Sequence, residues 1–450
     1  MPPLIALIIF IGFIFFLFRF DPSSEGKYSI SIWIPIVWFL IIGSRPIIGW
    51  LDDLGINIVD SSTNGNPIDQ SLDVLLIVIS FAVMIRRKIK LYDIIKNNKF
   101  IFVYILYCGI AITWSDYQLI SLKRYFKFIG CVLILMVIIS EPNRFEAFNI
   151  VIRRVAYILI PLSICFIKYF PNIGRGYSYW TGDLLITGVA NNKNTLGRLC
   201  MVCALVFFWN IMNEWKNQKN LQSKIYVLSL FSILLMSMWL LYISNSVTSA
   251  FCFIAGAIIV ILSRFNLFKQ NPRFMGNSII FMIGIFILIE YAFDIAGNII
   301  TSAGRNMTLT DRTKLWAVLL DMKTNPLIGT GFESFWLGER FKYISEIFRW
   351  LPNEAHNGYL EIYLNLGIIG LISLTGIIIS GYRRVVDILV ENYKYGVLGI
   401  AFFIMVLLYN ISEAAFKPEQ ILWNVFLFMI IDYRSLNQQQ EGVIYSGIKK

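Results

Sequence analysis

The stretch NEAHNGYLEIYLNLGIIGLISLTGIIIS, residues 353–380, decides the fold class. From residue 358 to residue 380 it is apolar, with Glu361 as its one charged residue. A helix needs about 20 such residues to cross the hydrocarbon core of a bilayer. The run follows directly on Asn357 and on His356, which is the only histidine of the chain. The stretch therefore predicts a transmembrane helix whose polar border carries a residue found nowhere else in the sequence.

The composition of the whole chain extends this prediction. Of its 450 residues, 57% are hydrophobic, 16% aromatic and only 15% charged. A soluble protein carries about 25% charged residues and has too little interior for this much apolar surface. The sequence therefore predicts an all-α polytopic integral membrane protein with roughly 12–13 transmembrane helices. The predicted spans are 3–19, 29–47, 71–85, 100–114, 121–139, 152–169, 195–212, 225–243, 247–263, 277–295, 358–380, 396–412 and 420–433.

The net charge of +11 would suggest nucleic acid as the partner of a soluble protein. Here the basic residues stand mainly in short loops between apolar runs, where they set the orientation in the membrane, so no nucleic-acid partner is predicted. The most basic loop, RRKIKLYDIIKNNK at 86–99, is assigned to the cytoplasm. Alternation then places 140–151, 213–224, 264–276, 381–395 and the C-terminus inside. It places the N-terminus, 48–70, 113–120, 170–194, 296–357 and 413–419 outside.

Three domains follow from this topology. They are an N-terminal transmembrane helix bundle (1–295), a large outer loop (296–357), and C-terminal transmembrane helices with a short cytoplasmic tail (358–450). The large loop is amphipathic: RTKLWAVLLDM at 312–322 has helical spacing, and NPLIGTGFESFW at 325–336 predicts a turn with an apolar contact. A loop of this length usually has a function.

The sequence contains no pattern for a metal or a cofactor. All six cysteines lie in apolar segments, which favours a role in helix packing. We find no zinc spacing, no phosphate-binding glycine loop and no paired-aspartate motif, so we predict no cofactor and no metal. The first apolar segment lacks a basic n-region and a convincing cleavage site, and is predicted to be a retained helix.

His356 is a candidate general base. Asn353 is a good N-cap three residues earlier and Glu354 suits a first turn, which predicts His356 in that turn. The positive end of a helix favours the neutral imidazole, which can accept a proton. Gly367 and Gly370, one turn apart, predict close helix packing below it. The alternative is a histidine that merely lies at a polar–apolar border.

Four arginines favour the functional role of His356 over the border position, because the topology places them on the same side of the membrane as His356. The positive-inside rule works against such a placement, and an arginine inside a span is a functional-site hypothesis by default. Snorkelling to lipid headgroups is the alternative, which suits Lys123 and Lys127 better. The four residues are Arg45 in IIGSRPIIGW, Arg124 in WSDYQLISLKRYFKF, Arg198 in ANNKNTLGRLC and Arg312 in LTDRTKLW.

Several arginines and a neutral histidine at one membrane face indicate an anion site with a base. Arginine binds diphosphate oxygens in bidentate fashion, so a lipid-linked sugar diphosphate is the expected ligand. The expected chemistry is displacement of the lipid diphosphate by a sugar hydroxyl. Arginines would stabilise the leaving charge without a metal, and His356 would take the proton of the attacking hydroxyl.

The motif His-(Asn/Ser/Gln)-nine residues-Gly-two residues-(Gly/Thr/Tyr) occurs at His356, Asn357, Gly367 and Gly370. In this motif the chain resembles the bacterial O-antigen ligase and polymerase superfamily. The stretches GSRPIIGWL, WSDYQLISLKRYFKF, ANNKNTLGRL, SNSVTSA, TLTDRTKLWAVLLDMKTNPLIGTGFESFW and LLYNISEAAFKPEQILW resemble its exopolysaccharide-polymerase branch in the same order.

The resemblance implies a GT-C-like glycosyltransferase of the bacterial inner membrane with its active site facing the periplasm. It implies an inverting, metal-independent reaction on undecaprenyl-diphosphate-linked oligosaccharide. Membrane lipids, a chain-length regulator and a flippase of the same pathway are the other expected partners. The predicted catalytic residues are His356, Arg312 and Arg198, and the predicted substrate-binding residues are Arg124, Arg45, Lys193, Asn357, Glu361 and Glu413.

Three functions remain open at this point. The preferred one is a polymerase of repeat units into exopolysaccharide, capsule or O-antigen, because the flanking stretches resemble that branch. The second is a ligase that transfers the finished glycan to lipid A core or to a protein. The third is a transporter of lipid-linked sugars, which should show paired broken helices in two related halves.

Overall fold

The computed structural model describes residues 1–22, 28–53, 55, 66–177, 182–216, 218, 220–293, 308–348 and 351–434. The first part of the large loop, at 296–307, and the predicted cytoplasmic tail from 435 onward therefore lie outside the described residues. The α-helices, in chain order, are α1 (Pro3–Arg19), α2 (Trp33–Ile42), α3 (Ile47–Asp53), α4 (Pro67–Arg86), α5 (Leu91–Asn97), α6 (Lys99–Ile110), α7 (Gln118–Ile139), α8 (Arg144–Tyr169), α9 (Pro171–Gly174), α10 (Lys193–Glu214), α11 (Leu221–Ile243), α12 (Val247–Leu262), α13 (Asn266–Gln270), α14 (Pro272–Phe293), α15 (Thr308–Asp321), α16 (Gly338–Ile347), α17 (Gly358–Glu391), α18 (Tyr393–Ser412) and α19 (Ile421–Ile430).

The helices confirm the all-α membrane fold, and each predicted span overlaps one of them. Strands β1 (Arg175–Tyr177) and β2 (Leu184–Ile186) form one short antiparallel hairpin. Asparagines fix where several helices begin: the side-chain oxygens of Asn66, Asn192 and Asn220 accept backbone N–H bonds in the first turns of α4, α10 and α11. Such caps satisfy donors that the helix itself leaves unpaired.

Among the described residues, six helices are long and apolar enough to cross a membrane: α4, α8, α10, α11, α17 and α18. The number rises to eight if two bent pairs each count as one span, namely 30–42 with α3, bent by 59°, and α5 with 99–114, bent by 101°. Helices α1, α12 and α19 are apolar but shorter. In α7, Lys123, Arg124 and Lys127 lower the apolar character. The estimate of 12–13 spans stays a prediction.

The chain divides into two compact units. The first comprises 1–102, 123–257 and 417–450. In it α10 packs against α11, and α8 packs against α1 and α2. A buried ion pair joins α8 to the segment after α1, because Arg153 binds Asp21 through its Nε and Nη2 atoms at 3.2 and 3.1 Å.

The second unit comprises 103–122 and 258–416. Helix α17 packs against α18 and against α14. The described part of the large loop forms a small core on the first turns of α17, with Leu315 and Leu319 from α15 and Ile344 from α16. Phe335, Ala355 and Leu364 complete this core. The prediction of a helix in RTKLWAVLLDM is thereby confirmed.

Helix α17 is broken at Gly367, where φ is +63° and ψ is −162°. We predicted that Gly367 allows two helices to pack closely, but the segment that packs against it is a loop. The loop segment 325–331, here named the strap, runs directly against the break. A Cβ atom at Gly367 would lie 2.3 Å from the carbonyl carbon of Leu327, and one at Gly329 would lie 2.4 Å from that of Asn365. Glycine is required on both sides because the two backbones touch.

The strap supplies hydrogen bonds that the broken helix loses. The N–H groups of Ile368 and Ile369 donate to the carbonyls of Pro326 and Leu327 at 2.9 and 3.1 Å. In return, the N–H groups of Thr330 and Gly331 donate to the carbonyls of Leu364 and Asn365 at 3.1 and 2.9 Å. The backbone groups named here are thus hydrogen-bonded to the strap, and these bonds fix the large loop to α17.

Candidate functional site

His356 lies at the junction between the large loop and α17. The expected N-cap at Asn353 is wrong by one turn: Asn357 caps the helix, and its Oδ1 accepts from the N–H groups of Tyr359 and Leu360 at 3.0 Å each. His356 consequently precedes the helix, and the expected first turn does not contain it. Asn357, predicted to bind substrate, uses its side-chain oxygen for this cap.

The backbone of His356 is held in an uncommon conformation. Its φ is +48°, in the left-handed region that non-glycine residues rarely adopt. The preceding residue, Ala355, is fully buried; its N–H donates to Glu361 at 2.9 Å and its carbonyl accepts from Trp316 Nε1 at 2.7 Å. Such a conformation persists where the surroundings over-determine it, and it is concentrated at functional sites.

Two carboxylates approach the same nitrogen of the imidazole ring. Nδ1 of His356 lies 3.2 Å from Oε2 of Glu413 and 3.4 Å from Oε1 of Glu354. An ionised carboxylate only accepts hydrogen bonds, so these contacts require a proton on Nδ1. In the neutral ring the acceptor lone pair is then on Nε2. This is the tautomer that a histidine base uses when a carboxylate orients it.

Arg312 connects this site to α15. Its Nη2 donates to Oε1 of Glu413 at 2.8 Å, and its Nη1 donates to the carbonyl of Ser412 at 2.5 Å. The Glu413 side chain is only 6% exposed, so its charge needs partners. The guanidinium supplies one and leaves the other carboxylate oxygen directed at His356. Arg312, His356 and Glu413 therefore form one chain of contacts, as two predicted catalytic residues and one predicted binding residue.

Glu354, His356 and Glu413 could each give one ligand atom to a metal ion, and these atoms lie within 4.8 Å of one another. The charges favour a different arrangement. Arg312 is ion-paired with Glu413, and a cation next to a guanidinium would be repelled. The cluster is therefore a histidine that is hydrogen-bonded to Glu413 and also contacted by Glu354.

Glu361, also predicted to bind substrate, is buried in the same unit. Its carboxylate accepts from Trp336 Nε1 at 2.9 and 3.0 Å and from the Ala355 N–H. Glu361 is thus directed into the protein, toward the residue that precedes His356.

The other four predicted site residues lie in the first unit. Arg45 forms hydrogen bonds to the segments on either side of the β-hairpin. Its Nε donates to the carbonyl of Ala190 at 3.1 Å, its Nη2 donates to the carbonyl of Ile173, and its Nη1 pairs with Asp53. Arg124 lies on α7 and is half-buried, and Lys193 begins α10. Arg198 is buried one turn into α10, and its Nη2 donates to Thr195 at 3.2 Å. That these four share a site with His356 stays a prediction.

Sequence reasoning missed two features that the structure shows. Glu354 was assigned only to a helical first turn, yet it faces the imidazole two residues away. Lys127, expected to snorkel, instead forms ion pairs with Asp73 at 3.0 Å and Glu419 at 3.1 Å in the first unit. A carboxylate close in sequence to the only histidine was an available signal for Glu354.

Comparison with known proteins agrees with the motif around His356. Residues 230–375 match the model of the O-antigen ligase family. Over 91 residues the chain is 30% identical to the exopolysaccharide production protein ExoQ of Rhizobium meliloti (strain 1021). This alignment covers 19% of the chain and 21% of ExoQ, so the chain matches about a fifth of that relative's length. The stretch that matches the O-antigen ligase family therefore contains Arg312, His356 and Gly367, and it covers about a third of the chain.

Proposed function

We propose that the protein is an inner-membrane glycosyltransferase that polymerises polyprenyl-diphosphate-linked oligosaccharide repeat units into an exopolysaccharide, a capsule or O-antigen. The carrier would be undecaprenyl diphosphate, and the site would face the periplasm. The observation that carries the proposal is the contact of His356 Nδ1 with Glu413, whose second oxygen is bound by Arg312. It combines an oriented base with a fixed cation at the entrance of an apolar helix.

His356 would act on the acceptor. With Nδ1 donating to Glu413, Nε2 takes the proton of an acceptor sugar hydroxyl as that oxygen attacks the anomeric carbon of the donor. Glu413 holds the ring and stabilises the imidazolium that forms. The strained junction at His356 keeps the ring in place without the reorganisation of a flexible loop.

The donor would lose its lipid diphosphate in the same step. The new bond joins the acceptor oxygen to the anomeric carbon, and the bond from that carbon to the diphosphate oxygen breaks. A single displacement inverts the anomeric configuration. The leaving diphosphate needs cations, and Arg312 is the one proposed in the second unit. Arg198, Arg124, Arg45 and Lys193 stay contacts predicted from the sequence.

We prefer polymerisation to ligation because of the name of the relative, ExoQ. ExoQ bears the name of an exopolysaccharide production protein, and exopolysaccharides are built from repeats. The family model, by contrast, is described as O-antigen ligase. Ligation to lipid A core or to a protein is therefore the second candidate, with the same base and the same leaving group.

The break in α17 weighs against the transporter hypothesis. Transporters use broken helices because the freed peptide groups bind ions or substrates. At Gly367 the peptide groups on both sides instead bond to the strap, including the carbonyls of Leu364 and Asn365. The junction is therefore suited to fixing a loop.

The test uses the full-length protein in nanodiscs with one synthetic undecaprenyl-diphosphate repeat unit as the only glycan. Chain length is followed by gel and released lipid diphosphate by mass spectrometry, for the wild type and His356→Ala. Ladders that the variant does not form support polymerisation. Transfer only after lipid A core or a protein acceptor is added would establish ligation. If no acceptor leads to release of lipid diphosphate, the glycosyltransferase proposal is wrong.

A further inference from the structure

Glu361 is a buried carboxylate that gathers N–H donors from three parts of the second unit. It is 4% exposed, in the first turn of α17. Oε1 and Oε2 accept from the indole of Trp336 in the large loop, and Oε2 also accepts from the N–H of Ala355. Asn365, one turn further along α17, directs its Nδ2 at Oε1 at a distance of 3.4 Å.

The donors around Glu361 determine its chemistry. An ionised carboxylate accepts at both oxygens and donates nothing, which matches a setting of N–H groups. The orientation of the Asn365 amide is fixed independently, because its Oδ1 accepts from the N–H of Phe335 at 3.1 Å. Its nitrogen must therefore face the helix and Glu361. Trp336 and Phe335 belong to the segment that directly follows the strap.

The contact that matters for function is the bond to Ala355. The peptide that carries this N–H belongs to the residue directly before His356. Glu361 binds it on one side and Trp316 binds the Ala355 carbonyl on the other, at 2.7 Å. A left-handed residue such as His356 reverts to a relaxed conformation unless its flanking peptides are fixed. The following residue, Asn357, is fixed separately as the N-cap.

We propose that Glu361 is a positioning residue, which holds the peptide before His356 so that the imidazole ring stays oriented toward Glu413. This replaces its predicted role as a substrate ligand, and rests on the proposed function for its kinetic consequence. Glu361 acts through the backbone, whereas Glu413 acts on the ring itself. The same carboxylate couples the site to the strap, because Trp336 and Asn365 share it.

The test uses Glu361→Gln, which keeps the size of the side chain. Its NH₂ group would face N–H donors, so either Ala355 or Trp336 loses its acceptor. We expect kcat to fall about 100-fold while KM for the lipid-linked repeat unit changes less than about twofold, since only the geometry of the base is lost. Trp336→Phe removes one donor and leaves the bond to Ala355, so it should retain most of the activity. The matched control is Glu346→Gln, an exposed glutamate of α16.

The single histidine gives a readout that does not require activity. In proteoliposomes that contain ¹⁵N-histidine-labelled protein, solid-state NMR shows the ring nitrogens of His356 alone. We expect the Nδ1-protonated signal of the wild type and of Glu346→Gln to shift or broaden in Glu361→Gln. An unchanged signal in Glu361→Gln, with a raised KM and a normal kcat, would make Glu361 a substrate ligand and overturn the proposal. If the wild type is inactive, the proposed function fails, and the NMR comparison still decides the role of Glu361.

Discussion

Arg312 donates to Oε1 of Glu413 at 2.8 Å, across 101 residues of sequence. Glu413 immediately follows the last residue of α18, and Arg312 lies in α15 of the large loop. The contact therefore attaches the loop to the membrane helices and fixes the carboxylate that faces His356.

We expect Glu413→Gln to lower the rate of lipid diphosphate release about 100-fold. Glutamine has only one oxygen that can accept hydrogen bonds, whereas Arg312 and the His356 Nδ1–H donate to two oxygens of the native carboxylate. Single-turnover kinetics in nanodiscs, with Glu346→Gln as the exposed control, measures the loss. A rate within threefold of the wild type would show that Glu413 does not orient the base.

Arg312→Lys should retain the charge and lose most of the function. Arg312 binds the Ser412 carbonyl and Glu413 with two different nitrogens, and one ammonium group cannot reproduce that fork. We expect activity to fall about tenfold, with a larger loss in Arg312→Ala, which leaves the buried Glu413 without this partner. Equal activity of Arg312→Lys and the wild type would contradict a geometric role and leave only a charge effect.

Chelation of divalent ions should leave the reaction unchanged, because Arg312 already supplies the cation next to Glu413. Activity in EDTA is compared with activity after dialysis against zinc. Excess zinc is expected to inhibit, since it competes with the proton for the imidazole. Loss of activity in EDTA, restored by one metal, would instead make Glu354, His356 and Glu413 a metal centre.

The membrane spans could be predicted because each one is an apolar run, and a membrane helix satisfies its own backbone. The break in α17 could not, because its cause is non-local. Nothing within 358–391 marks Gly367 as different from Gly370; the difference is the strap, which the chain supplies from residues 325–331. A glycine in a helical run permits a break, but it does not show where the break occurs.

The candidate site, too, could be predicted only in part. His356 was found because it is the only histidine and stands at a polar border. Its conformation was missed because Asn353 and Asn357 are equally good caps in sequence, and the choice depends on the packing of Ala355 among Leu315 and Leu364. The partnership with Glu413 depends on how α17 and α18 pack, which apolar periodicity does not specify.

The first unit has its own test in the Asp21–Arg153 pair, both residues being 2% exposed. Asp21→Asn should destabilise the protein by about 3 kcal/mol, at the low end for a broken buried pair because Glu146 remains 3.2 Å from Arg153. Asp21→Leu combined with Arg153→Met should regain much of the loss, because neither charge of the fully buried pair then remains. Thermal unfolding in nanodiscs compares the single variant with the double variant. A double variant less stable than Asp21→Asn would contradict this account.

Gly367→Ala should destabilise the second unit by about 3 kcal/mol. The alanine would have to adopt φ of +63°, and its Cβ would lie 2.3 Å from the Leu327 carbonyl carbon, so the strap must move. The control is Gly12→Ala in α1, where a Cβ meets no atom within 4 Å and the helix gains up to about 1 kcal/mol. Unfolding midpoints and hydrogen exchange of the strap amides are measured on both variants. We expect a lower midpoint and faster exchange at Thr330 and Gly331 in Gly367→Ala alone. Unchanged exchange there would show that the strap does not depend on the break in α17.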